Sequence, residues 1–265
     1  MFPGEPALAS LGNDVLFRAY TVAAGKNALC PGPEQTGAGV AALAAEKHLD
    51  AGEVHLWLIP VSDDRAALAQ QWISTTEQAK AEGFSTQGAR RQFIVARGFL
   101  RLLLAHYTGG TACEIVFGKA PNGKPFLADP NLNQVRFNVS HTEHAIALAF
   151  SLDTEIGVDI EQVRPDFAWR DVAEMVFTDT DYRDLAKADG DVANRGFFDL
   201  WVRMEAALKL KGDGILQAVQ AKRCGSSGST AMEKRILQVG FDFGDDLTGS
   251  LAAAPCRPTE RNRLQ

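Results

Sequence analysis

The segment EIGVDIE, residues 155–161, alternates aliphatic residues with small or acidic ones at a period of two. This period predicts a β-strand whose successive side chains point to opposite faces. The aliphatic residues then share one face, and the other face carries Gly157, Asp159 and Glu161. Two carboxylates held on one face repel each other unless a cation or a proton lies between them. Hard oxygen ligands suit Mg²⁺, which commonly takes one or two carboxylates with water and substrate phosphates. Taken alone, however, the pair fits a solvated acidic strand at least as simply.

A second pair of candidate residues lies on a predicted helix, residues 193–211. The apolar stripe of this helix includes Phe197, Trp201 and Leu208. Glu205 and Lys209 are four residues apart, so they are neighbours on its surface. One interpretation is an exposed ion pair worth about 0.3 kcal/mol. The other is a metal-binding carboxylate beside a phosphate-binding lysine.

Other short motifs are weaker. The stretch RFNVSHT, residues 136–142, ends a predicted strand in Ser140 and His141, and a hydroxyl, an imidazole and free amides can hold a phosphate. The sequence shows no evident partner for a Ser/His/Asp triad, so nucleophilic catalysis is not our interpretation. Gly123-Lys-Pro125 is a turn into a strand or a loop whose lysine reaches a phosphate. Arg90 and Arg91 open a long helix and serve either solubility or an anionic ligand.

Strand, helix and strand group occur twice along the chain, around residues 54–151 and 155–243, which predicts an α+β protein with two similar lobes. We expect a loosely ordered N-terminal extension at 1–52, an N-terminal lobe at 53–152, a C-terminal lobe at 153–245 and a polar tail at 246–265. The last strand is predicted at 236–243.

Composition excludes several classes of protein. The chain has 265 residues, 46% of them hydrophobic, and a formal net charge of −6, which does not favour a nucleic-acid binder. The four cysteines are widely spaced, without the CxxC pairs of a zinc site. We see no signal peptide and no apolar run near the roughly 20 residues of a membrane span, so we expect a soluble, cytoplasmic protein without membrane contact.

Taken in order, several segments resemble the 4′-phosphopantetheinyl transferases of the long, two-lobed Sfp type. They are Gly123-Lys-Pro125, Phe137-Asn-Val-Ser-His141, Ile156-Gly-Val-Asp-Ile-Glu161, Phe177-Thr-Asp-Thr-Asp181, Trp201-Val-Arg-Met-Glu-Ala-Ala-Leu-Lys209 and the Arg91 helix. The resemblance covers about residues 54–216. It implies two α+β lobes related by a pseudo-twofold axis, an active site between them, and a monomer.

The resemblance also implies an activity. Such enzymes move the 4′-phosphopantetheine arm of coenzyme A to a serine of an apo acyl or peptidyl carrier protein, with Mg²⁺, and release 3′,5′-adenosine bisphosphate. Positioning and charge neutralisation are then the main catalytic contributions. Glu205 or a bound water would take the serine proton.

The implied site residues follow from the matching positions. Asp159, Glu161 and Glu205 would be the metal ligands, and Asp159, Glu205 and Lys209 the catalytic set. Lys209 would contact the attacked phosphate. Arg91, Ser140 and His141 would hold the 3′-phosphate of coenzyme A, and the loop of Gly123, Lys124 and Pro125 would lie near the adenine and its phosphates.

One departure from the family pattern is Met204, where a lysine usually precedes the glutamate. A thioether carries no charge and donates no hydrogen bond, and Arg203 points about 100° away around the helix. This leaves open a catalytically impaired binding protein for coenzyme A or a carrier protein, with the same fold. A third hypothesis is a metal-dependent hydrolase of nucleotide pyrophosphates. It would use the same metal chemistry as the transferase, but it does not explain the ordered motifs.

Overall fold

The computed structural model describes residues 16–22, 29–31, 35–36, 48–132, 134–152, 154–216, 219–220, 236–243 and 246–254. The strands are β1 (Leu16–Val22), β2 (Leu29–Pro31), β3 (Gln35–Thr36), β4 (Glu53–Pro60), β5 (Phe117–Lys119), β6 (Pro125–Leu127), β7 (Val135–His141), β8 (Ala145–Leu152), β9 (Ile156–Gln162), β10 (Leu237–Phe243) and β11 (Leu247–Ala253). The helices are α1 (Asp63–Ala69), α2 (Thr75–Glu82), α3 (Gln87–Thr108), α4 (Trp169–Val176), α5 (Asp179–Lys187) and α6 (Gly190–Lys211).

The strands form two main antiparallel sheets. The first has the order β2-β1-β4-β8-β7, with β3 also paired to β1, and the second has the order β10-β11-β9. A small hairpin of β5 and β6 carries the 120–124 turn. The edge strand β7 of the first sheet lies beside the edge strand β9 of the second.

The two sheets pack face to face and are covered by one long helix each. Between the sheets lie the small face of β8 and the aliphatic face of β9, including Ala147, Ala149 and Val158. The other face of β8, with Leu148 and Phe150, packs against α3. The acidic face of β9 packs against α6. Because both faces of each sheet are covered, nearly every residue of central strands such as β8 and β11 is buried.

Local sequence explains the helix ends. Ser62 and Thr86 accept backbone N–H groups at the starts of α1 and α3, and Ser74 forms a reciprocal capping box with Glu77 at the start of α2. Helix α3 ends at Gly109, whose φ of 70° is left-handed and suits glycine.

The α+β prediction is confirmed, and most predicted elements have the expected type. Three details of the sequence analysis are wrong. Residues 246–265 are not a tail throughout, because Leu247–Ala253 form a buried strand between β10 and β9. Within 1–52, Leu16–Val22 pair with β4, so this part is not a loose extension. Helix α2 was not expected, although its Ser74-x-x-Glu77 capping box signals it. Strands β2 and β3 and residues 48–52, 246 and 254 of these segments are also described, and the rest of both segments lies outside the described residues.

The pseudo-twofold relation and the lobe boundaries stay predictions. Among the described residues, no helix has the length and apolar character to cross a membrane.

Candidate active site

The acidic face of β9 meets α6 at very short range, and Gly157 makes this possible. A Cβ atom built on Gly157 would lie 2.0 Å from the carbonyl oxygen of Ala206 and 2.5 Å from the amide nitrogen of Leu210. Any larger residue would push the helix backbone away. The glycine thus sets the spacing at which Asp159 and Glu161 on β9 approach Glu205 and Lys209 on α6.

Asp159 lies at the centre of this site and is buried, with 5% of its surface exposed. Its Oδ1 accepts hydrogen bonds from Lys209 Nζ at 2.7 Å and from Ser140 Oγ at 2.8 Å. Its Oδ2 is buried and has no hydrogen-bond partner among the described residues. A buried carboxylate oxygen without a partner is costly, so this atom marks a position suited to a further donor or a cation.

The two glutamates have raised pKa values. Burial, and then the negative charge of Asp159, raise the pKa of Glu161 against the opposing charges of Arg164 and Lys209. Burial and the charge of Asp159 likewise raise the pKa of Glu205, with Lys209 opposing. The negative charge of Asp159 thus acts on both glutamates, as expected where one carboxylate lies near others.

His141 follows Ser140 at the end of β7. The side chain still reaches solvent at the strand end, but partial desolvation by the surrounding protein lowers its pKa, and the positive charge of Lys209 lowers it further, against the opposing effect of Asp159. The imidazole is therefore biased toward its neutral form, although it lies close enough to the site to feel both charges.

The predicted 123–125 loop lies beside Lys209. A cavity of about 210 Å³ is lined by residues of this loop, of β7 and of the end of α6: Asn122, Lys124, Pro125, Phe137, Asn138, Val139, Lys209, Gly212 and Asp213. Gly123 has a φ of 88°, which suits glycine in this turn. Lys124 Nζ donates to Glu155 Oε2 at 3.3 Å and to the carbonyl oxygen of Ile156 at 3.2 Å, so it bridges the hairpin to the start of β9.

Arg91 pairs with a residue that lies outside the contacts around Asp159. Its Nη1 forms an ion pair with Asp63 Oδ1 at 2.9 Å, and in the part of the chain that is described no hydrogen bond or ion pair joins it to Ser140 or His141. Its neighbour Gln92 donates to the carbonyl oxygen of Thr142 at 2.6 Å. The start of α3 therefore abuts the end of β7, but the structure does not bring Arg91 into the contacts around Asp159.

The carboxylates of Asp159, Glu161 and Glu205 are suitable ligands for a divalent cation, but they are not arranged as a complete coordination shell. Within the described ranges, no three His, Cys, Asp or Glu side chains stand close enough to hold a metal ion together. The unpartnered Asp159 Oδ2 and the two glutamates with raised pKa values supply hard oxygen donors whose mutual repulsion a cation would relieve.

Two contributors were missed by sequence reasoning. Asn138 Oδ1 accepts the backbone N–H of Val158 at 3.0 Å, which joins β7 to β9. Its position two residues before Ser140 puts both on one face of the strand, and this spacing was a readable signal. The second is Trp201, which lines a small pocket together with Glu161 and opposes the rise of its pKa; the helical period assigned it to the apolar stripe.

Comparison with known proteins agrees with this architecture. The profile of the N-terminal domain of 4′-phosphopantetheinyl transferases matches residues 59–152, and that of the 4′-phosphopantetheinyl transferase superfamily matches residues 155–251. These matches define a transferase enzyme, and the chain belongs to the 4′-phosphopantetheinyl transferase superfamily. The family resemblance found in the sequence is confirmed.

Particular relatives carry the same name. The chain is 33% identical over 166 residues to the 4′-phosphopantetheinyl transferase HetI of Nostoc sp., covering 62% of this chain and 70% of the relative. It is 28% identical to ffp of Bacillus subtilis, covering 59% and 67%, and 36% identical to AcpT of Escherichia coli K12, covering 50% and 64%. The matched parts thus span about two thirds of these relatives.

Proposed function

We propose that this enzyme transfers the 4′-phosphopantetheine arm of coenzyme A to a serine of an apo acyl or peptidyl carrier protein and releases 3′,5′-adenosine bisphosphate. The observation that carries the proposal is the set of contacts of Asp159, a buried carboxylate that pairs with Lys209 and raises the pKa values of two further carboxylates. One of its oxygens has no hydrogen-bond partner in the described part of the chain. Family membership supplies the group that is transferred.

Asp159, Glu161 and Glu205 are the proposed ligands of Mg²⁺. When bound, the ion would neutralise the charge of the pyrophosphate that is attacked. The unpartnered oxygen of Asp159 and the mutual repulsion of the carboxylates support this assignment.

The proposed reaction forms one bond and breaks one. The serine oxygen of the carrier bonds to the phosphorus that bears the pantetheine arm, and the bond from that phosphorus to the bridging pyrophosphate oxygen breaks. Lys209, held at 2.7 Å from Asp159 Oδ1, is positioned by that carboxylate and places its charge at the edge of the cavity. There it stabilises negative charge that develops on the phosphate and leaving group.

Glu205 is the proposed general base. Glu205 lies four residues before Lys209 on α6 and so on the same side of the helix, where its carboxylate, or a water bound beside it, is the candidate base. It would take the proton that leaves the attacking serine hydroxyl.

Of the remaining predicted residues, the 123–125 loop, His141 and Arg91 bind coenzyme A in this proposal. Lys124 and Pro125 line the same cavity as Lys209, which supports a nucleotide lying in that cavity with Gly123 shaping the turn. His141 and Arg91 are assigned to the 3′-phosphate. The Arg91 assignment requires the side chain to leave Asp63, a pair that is largely exposed on the Asp63 side and thus weak.

Met204 does not disturb the proposed catalytic set. It packs against the aromatic cluster that includes Phe197 and Phe198, whereas Arg203 is exposed. The competing function is a binding protein that holds coenzyme A or a carrier protein without turnover, and the assay below separates the two.

The test is to incubate the protein with coenzyme A, Mg²⁺ and a panel of apo carrier proteins and to weigh the carriers by mass spectrometry. We expect one phosphopantetheine on the carrier serine. Asp159→Ala should abolish the gain, whereas Glu82→Ala, which removes an exposed carboxylate on α2, should keep it. No gain on any carrier, with coenzyme A binding still measurable by calorimetry, would favour the binding protein.

A further inference from the structure

The edges of the two sheets are joined by side chains from β7. Asn138 Oδ1 accepts the N–H of Val158 at 3.0 Å, and Ser140 Oγ accepts the N–H of Ile160 at 3.3 Å. Both side chains are buried. These two hydrogen bonds satisfy alternate backbone N–H groups of β9, whose other edge pairs with β11. They therefore determine how the strand that carries Asp159 lies against β7.

Ser140 differs from Asn138 because it also contacts the reactive side chains. Its hydroxyl donates to Asp159 Oδ1 at 2.8 Å and accepts from Lys209 Nζ at 3.0 Å. One oxygen thus touches the strand backbone, the central carboxylate and the lysine of α6.

The hydrogen-bonding capacity of this hydroxyl is fully used. A serine hydroxyl has one proton to donate and two lone pairs to accept with. The proton goes to Asp159, and the lone pairs receive Ile160 N and Lys209 Nζ. No position is left for a phosphate oxygen of coenzyme A. His141 is different, because it is exposed at the strand end and alternation turns it to the opposite face of β7.

We propose that Ser140 is a positioning residue that locks Asp159 and Lys209 in their mutual geometry, and that it is not a ligand of the 3′-phosphate of coenzyme A. The inference rests on the proposed function for its kinetic consequences. Recognition of the 3′-phosphate then depends on His141 and not on the serine before it, so two adjacent residues have separable roles.

Ser140→Ala removes the hydroxyl and leaves three groups to rearrange. The Ile160 N–H loses its acceptor, Asp159 Oδ1 loses a donor, and Lys209 loses one of the two contacts that orient it. Misplacing reacting groups by about 1 Å can cost about 100-fold in rate. The loss should appear in kcat, because the contacts act on the catalytic groups rather than on the nucleotide.

The experiment compares coenzyme A with 3′-dephospho-coenzyme A as donors, for the wild type and Ser140→Ala, at a temperature well below both melting points. We expect kcat of the variant to fall by about 10-fold or more while KM for coenzyme A changes by less than about 3-fold. The preference for coenzyme A over its dephospho form, measured as a ratio of kcat/KM, should stay at the wild-type value. Ser140→Thr, which keeps a hydroxyl, should recover part of kcat.

Two further variants isolate the effect. His141→Ala should reduce the preference for the 3′-phosphate. Asn138→Ala removes a comparable bond to β9, but within the described residues no hydrogen bond joins the Asn138 side chain to Asp159 or Lys209. It should therefore lower the melting temperature as Ser140→Ala does but reduce kcat less. A rise in KM and a lost 3′-phosphate preference in Ser140→Ala, at unchanged kcat, would overturn the inference. So would an equal loss of kcat in Asn138→Ala, because general damage at the sheet edges would then explain the result.

Affinity measurements keep this test separate from the proposed function. Calorimetry with coenzyme A and with its dephospho form gives the same preference as a ratio of Kd values, without turnover. If the wild type binds coenzyme A but transfers nothing, the proposed function fails, while an unchanged ratio in Ser140→Ala still supports the assignment for Ser140. A ratio that collapses in Ser140→Ala contradicts it, whether or not the protein is active.

Discussion

Replacement of Gly157 by alanine tests the close approach of β9 and α6. The added Cβ would meet Ala206 O at 2.0 Å and Leu210 N at 2.5 Å, whereas packed atoms lie near 3.5–4.0 Å. Both obstacles are helix backbone, so no side-chain rotation relieves them, and α6 must move by about 1 Å or more. Overpacking of this kind costs about 1–3 kcal/mol, and we expect about 3 kcal/mol here.

Urea unfolding of the wild type and Gly157→Ala measures this cost. With a slope near 2–3 kcal/mol/M, a loss of about 3 kcal/mol lowers the unfolding midpoint by about 1 M. The same displacement separates Lys209 from Asp159, now 2.7 Å apart, so carrier modification should fall by about 100-fold.

Gly88→Ala is the matched control, because a Cβ there meets nothing within 4 Å and the residue is helical. It should leave stability unchanged or raise it by about 0.5 kcal/mol. If Gly157→Ala is as stable and as active as the wild type, α6 does not lie against β9 in the way described, and the argument for the site fails with it.

Three further outcomes are expected. Burial alone would raise the pKa of Glu77, but the Ser74 amide and the charges of Arg97 and Arg101 outweigh it and lower the pKa; Glu77→Gln should therefore destabilise by about 3 kcal/mol at neutral pH. This contribution to stability exists above the unfolded-state pKa of Glu77 and is lost as the pH falls through the folded-state pKa. The urea unfolding midpoints of the variant and the wild type should therefore converge in acid. A difference between the midpoints that stays constant with pH would contradict the ion-pair account. NMR titration should give His141 a pKa below its usual value, and Lys209 replaced by Met should raise it; no change would show that the two residues are further apart. Chelation of divalent cations should stop carrier modification and Mg²⁺ should restore it, so full turnover in chelator would refute the metal assignment.

The sequence determined most local structure and the list of reactive residues. The period of two in 155–161 places Asp159 and Glu161 on one face, and the four-residue spacing places Glu205 beside Lys209 on the helix. The structure has both arrangements in β9 and α6. These features are local, because side-chain direction follows from the backbone period alone.

Some strands were not predicted because their sequence patterns are weak or because they depend on partners far away in the chain. Leu247–Ala253 carries Thr, Gly and Ser, so the segment reads as polar, yet it is a central strand that both neighbours bury. Leu16–Val22 gains its order from pairing with β4, a partner more than thirty residues away in the chain. Strand pairing of this kind is decided by tertiary context rather than by propensity.

The sequence by itself therefore determined the family, the α+β class and which carboxylates and lysine face a common direction within each element. Only the tertiary structure decided that the face of β9 meets the face of α6 and that the Ser140 hydroxyl bonds to Asp159, Lys209 and Ile160 at once. It also decided that one oxygen of Asp159 has no partner within the described part of the chain. The physical reason is that periodicity fixes direction within a strand or helix, whereas hydrogen-bond occupancy depends on atoms brought together from distant parts of the chain.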